Sequence, residues 1–311
     1  MTHSFLSRLF AVCSLASLLA LTGCGSGTTY DPLDPTRVIG LGDAYNDAGA
    51  TPTGRYTVRV ASDIAATVVE YVSWAFGKSG TATPVIASTY DGTSPMPPTG
   101  VFSYAVGDTR IATGTDSLKD QVDRLIADTP SGLGAKDLLV IAAGTGDIKL
   151  AGSTSDAEAA ASALAGQVQR LLDHGAKYVL VMLPLNLKYM PFAAGASTYE
   201  TYTMAFVSQA KKESPEGLYT KPSVSGSPVR VVEMLRDFNL VASGAINAGY
   251  SNITSAACTV APAATDMKGC DSADADTNYG SFLFADNLNL TPAGNRWVGI
   301  RLFNATLGGW R

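Results

Sequence analysis

Two short polar motifs that follow apolar residues carry the side chains best suited to chemistry. Gly42–Gly49 (Gly-Asp-Ala-Tyr-Asn-Asp-Ala-Gly) follows the apolar run Val38–Leu41, and Phe284–Gly294 contains Asp286, with Asn289 three residues after it. A serine hydrolase needs a nucleophile, a base that takes its proton, a carboxylate that orients the base, and donors for the oxyanion. Both motifs supply a carboxylate, but neither contains a serine or a histidine.

Four motifs occur in the order and approximate spacing of those of the GDSL (SGNH) hydrolases. Gly42–Gly49 resembles Gly-Asp-Ser-Leu-Ser-Asp-x-Gly, and Ser103–Asp108 is similar to Asn-Tyr-Ala-x-Gly-Gly. Ile141–Ile148 is similar to Gly-x-Asn-Asp, and Phe284–Gly294 is similar to Asp-x-x-His-x-Thr-x-x-Gly. The resemblance covers nearly the whole mature chain and implies the fold of that family.

The resemblance also assigns catalytic positions, and most of them hold the wrong residue. The nucleophile position holds Ala44, whose methyl group cannot attack an ester, and the base position holds Asn289, whose amide does not titrate. The oxyanion asparagine is replaced by Gly146, whereas Gly107 and Asp286 keep the family's residue types. We therefore expect a pseudoenzyme, which binds an acyl or glycan ligand or a partner protein.

The remaining polar residues of these motifs are candidates for a ligand pocket. Asp108 stands beside Gly107, where a negative charge would repel a developing oxyanion. The pocket candidates are Asp43, Tyr45, Asn46, Asp108 and Asp147, beside the degenerate positions Gly107, Gly146, Asp286 and Asn289.

Three other functions stay open at this point. An active esterase acting on ester bonds would need a relocated nucleophile, for which Tyr45, Thr145 and Ser103 are candidates. Several of the aspartates named above could instead bind a hard cation or act as a glycosidase pair, although no metal and no cofactor is predicted. A structural envelope protein with a closed pocket is the third alternative.

A base from elsewhere in the chain is not expected. His174 is the only histidine after the first few residues, and it ends a helical pattern just before Gly175. A cation is favoured at a helix carboxyl end, so a structural role is predicted for His174.

The amino-terminal residues predict export and lipid attachment. Arg8 precedes the apolar run 9–19, and Leu21-Thr22-Gly23-Cys24 resembles a bacterial lipobox. We predict a lipoprotein signal peptide over 1–23, a lipid-anchored tether over 24–35 and a hydrolase-like domain over 36–311. By the same resemblance, Gly25 favours the outer membrane, so a membrane partner and a cell-envelope location are expected.

The cysteines and the charge agree with an exported protein. Cys13 leaves with the signal and Cys24 receives lipid, so Cys258 and Cys270 are predicted to form a disulfide in an oxidising compartment. A two-cysteine metal site lacks a nearby histidine or third thiol. The chain has 22 basic and 27 acidic residues without a basic cluster, which argues against nucleic acid as a partner.

Apolar runs that alternate with helical patterns predict an α/β fold, a three-layer α/β/α sandwich around a parallel, flavodoxin-like sheet. The predicted strands are Arg37–Leu41, Asp137–Ala143, Lys177–Leu183 and Pro228–Glu233. The predicted helices are Asp63–Phe76, Ser117–Ala127, Asp156–His174 and a last one from Pro292 to Leu307. Ligands of such sheets bind beyond the carboxyl ends of the strands, where Gly42–Gly49 is placed.

Overall fold

The strand predicted over Arg37–Leu41 extends over Arg37–Gly42; it is buried at every residue and lies inside a parallel sheet of six strands. The computed structural model describes residues 33–50, 55–59, 65–85, 95–219, 227–259 and 268–307. The signal peptide, most of the tether and Cys24 lie outside these residues and stay predictions. The chain from Leu33 onward forms one compact unit.

The described residues contain ten strands. They are β1 Arg37–Gly42, β2 Thr57–Arg59, β3 Thr83–Pro84, β4 Gly100–Ser103, β5 Asp137–Ala142, β6 Tyr178–Met182, β7 Val229–Val232, β8 Asn252–Ala256, β9 Gly269–Asp271 and β10 Phe282–Phe284. The six-stranded sheet has the order β3-β4-β1-β5-β6-β7, and all its pairs are parallel. Two parallel two-stranded sheets, β2–β9 and β8–β10, stand apart from it.

Helices on both sides of the sheet complete the α/β/α sandwich. Those of the described residues are α1 Val68–Ala75, α2 Leu118–Asp128, α3 Thr145–Leu150, α4 Thr154–Asp173, α5 Ser197–Ala210, α6 Leu235–Ala242 and α7 Pro292–Leu307. Helix α1 packs on α7, whereas α4 packs on α5 and α2. No helix of the described residues is long and apolar enough to cross a membrane.

The predicted fold class and the predicted strands and helices are confirmed, with small shifts at their ends. Helix α1 begins at Val68 because Glu70 accepts hydrogen bonds from the amide and hydroxyl of Thr67, which caps the helix. Residues 63 and 64 of the prediction lie outside the described part. Helices α5 and α6 and strand β4 were not predicted.

A buried ion pair joins the amino ends of the two central strands. Arg37 and Asp137 face each other in the register of β1 and β5. Arg37 Nε donates to Asp137 Oδ1 over 2.8 Å, and its Nη2 contacts Oδ2. The paired side chains lie at the end of the sheet opposite to the motif Gly42–Gly49.

The predicted disulfide is confirmed, and His174 lies where the sequence places it. Cys258 and Cys270 are bridged, with their Cα atoms 5.9 Å apart. His174 follows the last residue of α4, and its Nε2 lies 3.0 Å from the hydroxyl of Thr129. Since β6 begins shortly after it, His174 lies at the amino end of the sheet.

Candidate functional site

The first three motifs meet where β1, β4 and β5 end. The Asp43 amide donates to Ala142 O over 2.7 Å, and the Val106 amide donates to Gly42 O over 3.2 Å. Gly42 has φ of 112°, and a Cβ there would lie 1.7 Å from Ala142 O. Only glycine therefore permits this approach of β1 to β5.

A side chain from α2 fixes the same turn. Gln121 is fully buried; its Oε1 accepts from the Gly42 amide over 2.6 Å, and its Nε2 donates to Gly42 O over 2.8 Å. Both backbone polar groups of Gly42 thus have a partner. The sequence analysis did not identify Gln121.

Asp43 is buried behind this turn and is held by backbone amides. The amides of Thr145 and Tyr45 donate to its carboxyl over 3.3 and 3.4 Å. Burial raises the pKa of Asp43 to about 7, against these hydrogen bonds, and the charge of Asp147 acts in the same direction. The Asp43 carboxyl is therefore only partly ionised near neutral pH.

The fourth motif brings a second buried carboxylate to the site. Asp286 Oδ1 accepts from the amides of Leu288 and Asn289, each over 2.7 Å, and Oδ2 accepts from the Gly269 amide over 2.7 Å. The side-chain Nδ2 of Asn289 donates to Oδ2 over 2.9 Å. Burial raises the pKa of Asp286, although all of these contacts oppose it.

Tyr45 connects the first motif to the fourth. Its side chain is 5% exposed, and burial raises its pKa, as do the negative charges of Asp43 and Asp286. Since both carboxyls act on the same phenol, the two motifs meet around this ring. Ala44, at the nucleophile position, is half-buried beside it.

The retained oxyanion amide already has a partner. The Gly107 amide donates to Asp47 Oδ2 over 2.7 Å, while Asp47 Oδ1 accepts from the amides of Gly49 and Ala50 over 2.8 Å each. Asp47 is fully buried. A substrate oxygen would have to displace this carboxylate to reach Gly107.

Tyr56 covers the same glycine. A Cβ at Gly107 would lie 2.0 Å from Tyr56 Cε2, so the ring rests directly on the glycine. Burial raises the pKa of Tyr56 to about 12, and the charges of Asp47, Asp108 and Asp286 add to the effect. The phenol stays neutral and fills the space in front of the amide.

The small β2–β9 sheet holds Tyr56 in place. Thr57 follows the tyrosine, pairs with Gly269 and donates from its hydroxyl to Leu290 O over 2.8 Å. Gly269 in turn donates to Asp286, and its neighbour Cys270 carries the disulfide. The β2–β9 sheet with Tyr56 is called the cover below.

Gly146 is also enclosed. It lies in the first turn of α3, and a Cβ there would lie 2.5 Å from Thr109 O. The asparagine that the resemblance places at this position would therefore collide with the loop after the second motif.

The two other acidic candidates are Asp147, which contacts that loop, and Asp108, which is exposed to solvent. Asp147 accepts from the Ile111 amide over 3.0 Å, and burial raises its pKa to about 6. Asp108 has φ of 59°, a conformation that aspartate tolerates, and its exposed carboxylate pairs with Lys149 Nζ at 3.3 Å.

The side chains of Asn46 and Ser103 donate hydrogen bonds to backbone carbonyls. Asn46 Nδ2 donates to Leu41 O and Val140 O, each over 2.9 Å, and ties β1 to β5. Ser103 Oγ donates to Asn46 O over 2.6 Å and is fully buried. In the described part of the chain, no group of three or more His, Cys, Asp or Glu side chains is arranged to hold a metal.

Comparisons with known proteins bear on the fold. No protein-family model and no curated protein matches the chain. It is similar to the lipase/acylhydrolase of Enterococcus faecalis (12% identity, 88% of this chain and 95% of that chain, TM-score 0.41). It is also similar to a protein of Arabidopsis thaliana (16% identity, 89% and 100% covered, TM-score 0.45).

The fold is an α/β/α sandwich around a parallel sheet. This sheet brings together, at one end, all four motifs on which the sequence resemblance to the GDSL (SGNH) hydrolases rests. Besides Gln121, sequence reasoning missed Asp47 and Tyr56 as residues of this site. Asp47 stands in the first motif and could have been singled out, whereas nothing in the sequence around Tyr56 indicates that it covers Gly107.

Proposed function

We propose that this protein is a non-catalytic, lipid-anchored envelope protein that binds its ligand and leaves it intact. The hydrogen bond from the Gly107 amide to Asp47 carries this proposal. An oxyanion donor works because its N–H is preorganised and open to the reacting oxygen. Here that N–H is held by a buried carboxylate and covered by an aromatic ring.

The other catalytic groups are missing as well. Ala44 cannot attack, and the amide of Asn289 cannot take a proton. Loss of nucleophile or base alone typically lowers turnover by about 10⁶. The candidate replacements are also unsuited to attack, since the Ser103 hydroxyl donates to a carbonyl, the Thr145 side chain hydrogen-bonds to Asp43, and burial raises the pKa of the Tyr45 phenol.

A cleft that is lined in part by residues of the fourth motif, Pro292 and Ala293, suits a hydrophilic ligand. It has a volume of about 840 Å³ and lies between the turn 276–282 and the start of α7. Its lining includes Ser251, Asp276, Asn278, Tyr279, Phe282 and Arg296. Hydroxyl, amide and carboxylate groups beside an aromatic ring favour a glycan over an acyl chain, which prefers an apolar enclosure. Tyr45, Asn46, Asp286 and Asn289 are at most 5% exposed, so the glycan binds outside them.

The envelope location is supported by two features. The lipobox-like residues end in Cys24. The disulfide between Cys258 and Cys270 fits an oxidising compartment outside the cytoplasm.

Hydrolysis of p-nitrophenyl esters from acetate to palmitate tests the absence of catalysis. The chain lacking residues 1–24 is expected to release p-nitrophenol at the buffer rate. Turnover well above that rate, abolished by a substitution near Ala44, would instead establish an active esterase with rebuilt residues.

Glycan binding is tested by screening an array of envelope-type glycans and measuring the hits by calorimetry. Tyr279→Ala is expected to weaken binding by at least tenfold. Tyr219→Ala is the matched control, since Tyr219 is also an accessible tyrosine but lies outside the cleft. Equal effects of the two variants would contradict the assignment of the cleft.

A further inference from the structure

Helices α1 and α7 expose large apolar side chains on their solvent side. Trp74 is 53% exposed, Ile300 is 39% exposed and Leu307 is 65% exposed. Partly buried aromatic residues of the same helices surround them. The α1–α7 face is defined here as Tyr71, Trp74, Phe76, Ile300, Phe303 and Leu307.

Direct contacts make this face continuous across the two helices. The Tyr71 side chain rests on α7, because a Cβ at Gly299 would lie 2.5 Å from Tyr71 Cδ1. The rings of Tyr71 and Trp74 lie 5.6 Å apart, and those of Phe76 and Phe303 lie 5.0 Å apart. An exposed apolar surface of this kind commonly marks a site of interaction.

The amino-terminal end of the described chain lies at this face. Asp34 Oδ1 pairs with Lys78 Nζ at 2.7 Å, and Lys78 follows the end of α1. Helix α1 starts next to the site, where the Val68 amide donates to Tyr45 O, and runs away from it. Helix α7 likewise begins beside the fourth motif and ends at Leu307.

The chain length limits how far a lipid on Cys24 can be from this face. Nine residues lead from Cys24 to Leu33. Fully extended, they span about 30 Å at most. An acylated Cys24 therefore holds Leu33, next to the Asp34–Lys78 ion pair, within about 30 Å of the bilayer surface.

We propose that the α1–α7 face rests on the surface of the bilayer that holds the Cys24 lipid. The proposal depends on the lipid anchor of the proposed function. Tryptophan and aliphatic side chains are favoured at the headgroup boundary. A face with few exposed apolar residues binds a bilayer only weakly and reversibly by itself, but a lipid anchor on the same chain holds it at the surface.

The glycan cleft lies toward the opposite end of α7 from Leu307. Arg296 lies in the cleft, near the start of α7, and Leu307 ends the same helix at the bilayer. With a rise of 1.5 Å per residue, the 16 residues of α7 separate the two ends by roughly 24 Å.

Quenching of a single tryptophan by brominated lipid tests the proposal. The full lipoprotein with Trp297→Phe and Trp310→Phe keeps Trp74 alone and is reconstituted into vesicles of phosphatidylethanolamine and phosphatidylglycerol (about 3:1). The reference carries Leu150→Trp in a chain without other tryptophans, because Leu150 is exposed and follows the carboxyl end of β5. Trp74 is expected to be quenched at least twofold more than the reference, and equal quenching would overturn the proposal.

A charge on the face gives a second, independent measurement. Leu307→Glu is expected to halve the quenching of Trp74, whereas Leu150→Glu leaves it unchanged, although both leucines are 65% exposed in the wild type. Shielding of Trp74 from iodide in detergent, without quenching by brominated lipid, would overturn the proposal in favour of a second copy on this face.

Mass spectrometry of the amino-terminal peptide shows whether a negative result contradicts the membrane contact of the α1–α7 face or the lipid anchor of the proposed function. An unmodified Cys24 would contradict the lipid anchor itself. A lipidated Cys24 with unquenched Trp74 would contradict only the contact of the α1–α7 face with the bilayer.

Discussion

Asn289 donates from its side-chain nitrogen to Asp286 over 2.9 Å and thereby keeps the contact by which an aspartate orients a catalytic base. An amide fits this place without strain, because its N–H makes the same hydrogen bond as an imidazole N–H. It lacks the second, proton-accepting nitrogen. The pair therefore has the geometry by which a carboxylate orients a base, but Asn289 cannot transfer a proton.

Restoring nucleophile and base is not expected to restore catalysis. The variant Ala44→Ser/Asn289→His should hydrolyse p-nitrophenyl acetate at the buffer rate. Asp47 still accepts the hydrogen bond of the Gly107 amide, and the Tyr56 ring still fills the space in front of it. Adding Tyr56→Gly together with Asp47→Ala opens that space and frees the amide, and should raise the rate measurably. High activity of the double variant without these two further changes would show that Asp47 and the cover move aside readily.

Two helical glycines are expected to respond in opposite directions to alanine. Gly146→Ala should lower the free energy of unfolding by about 1–3 kcal/mol, because its Cβ would press on Thr109 O. Gly166 in α4 has nothing within 4 Å of a Cβ, so Gly166→Ala should raise it by about 1 kcal/mol. Urea unfolding of both variants measures the difference. A neutral Gly146→Ala would mean that the loop at Thr109 yields easily.

The buried carboxyl of Asp43 should make stability fall as pH rises. Its folded pKa of about 7 lies above the ordinary value of about 4 for an aspartate in an unfolded chain, so its stabilisation is full below pH 4 and is lost as pH rises to 7. Against Asp43→Asn, the wild type should lose about 4 kcal/mol over this range. Chemical unfolding at a series of pH values measures it.

The control for that series is Asp274→Asn, an exposed aspartate far along the chain. It should leave the pH dependence of the wild type unchanged. A wild type and an Asp43→Asn variant with parallel pH profiles would contradict the raised pKa.

The ion pair of Arg37 and Asp137 should show strong coupling in unfolding experiments. Arg37→Met leaves a buried carboxylate without its cation and should cost about 3–5 kcal/mol. Adding Asp137→Leu removes that charge and should recover more than half of the loss. A double-mutant cycle in guanidinium chloride gives the coupling, and additive effects of the two changes would argue against a strong pair.

Much of the fold could be predicted because its central strands are apolar and its longest helices are amphipathic. Strand β5 is buried at every residue, and its sequence is almost continuously apolar after Asp137. Helix α5 escaped prediction since its apolar and polar residues are poorly separated and Thr203 and Gln209 are buried in it. Strand β4 has only four residues, too few for a periodic signal.

The site could be predicted in part for a related reason. Parallel strands end at the same edge of a sheet, so motifs that follow them must meet. The cover could not be predicted, because three-residue strands with no local pattern form it. The ring of Tyr56 lies on Gly107 because Thr57 pairs with Gly269. No sequence pattern in either segment predicts this pairing.

That pairing also sets an order in time. A chain that leaves the ribosome amino end first presents Tyr56 long before Gly269 emerges, since Arg59 and its ion-pair partner Asp271 lie 212 residues apart. Contacts of such long separation form late, after the local ones. The sheet, the turn at Gly42 and the Asp47 carboxylate can therefore assemble around an open site, and closure waits for the last quarter of the polypeptide. A chain truncated before Gly269 would lack the strand that pairs with Thr57 and would leave the Gly107 amide without the cover.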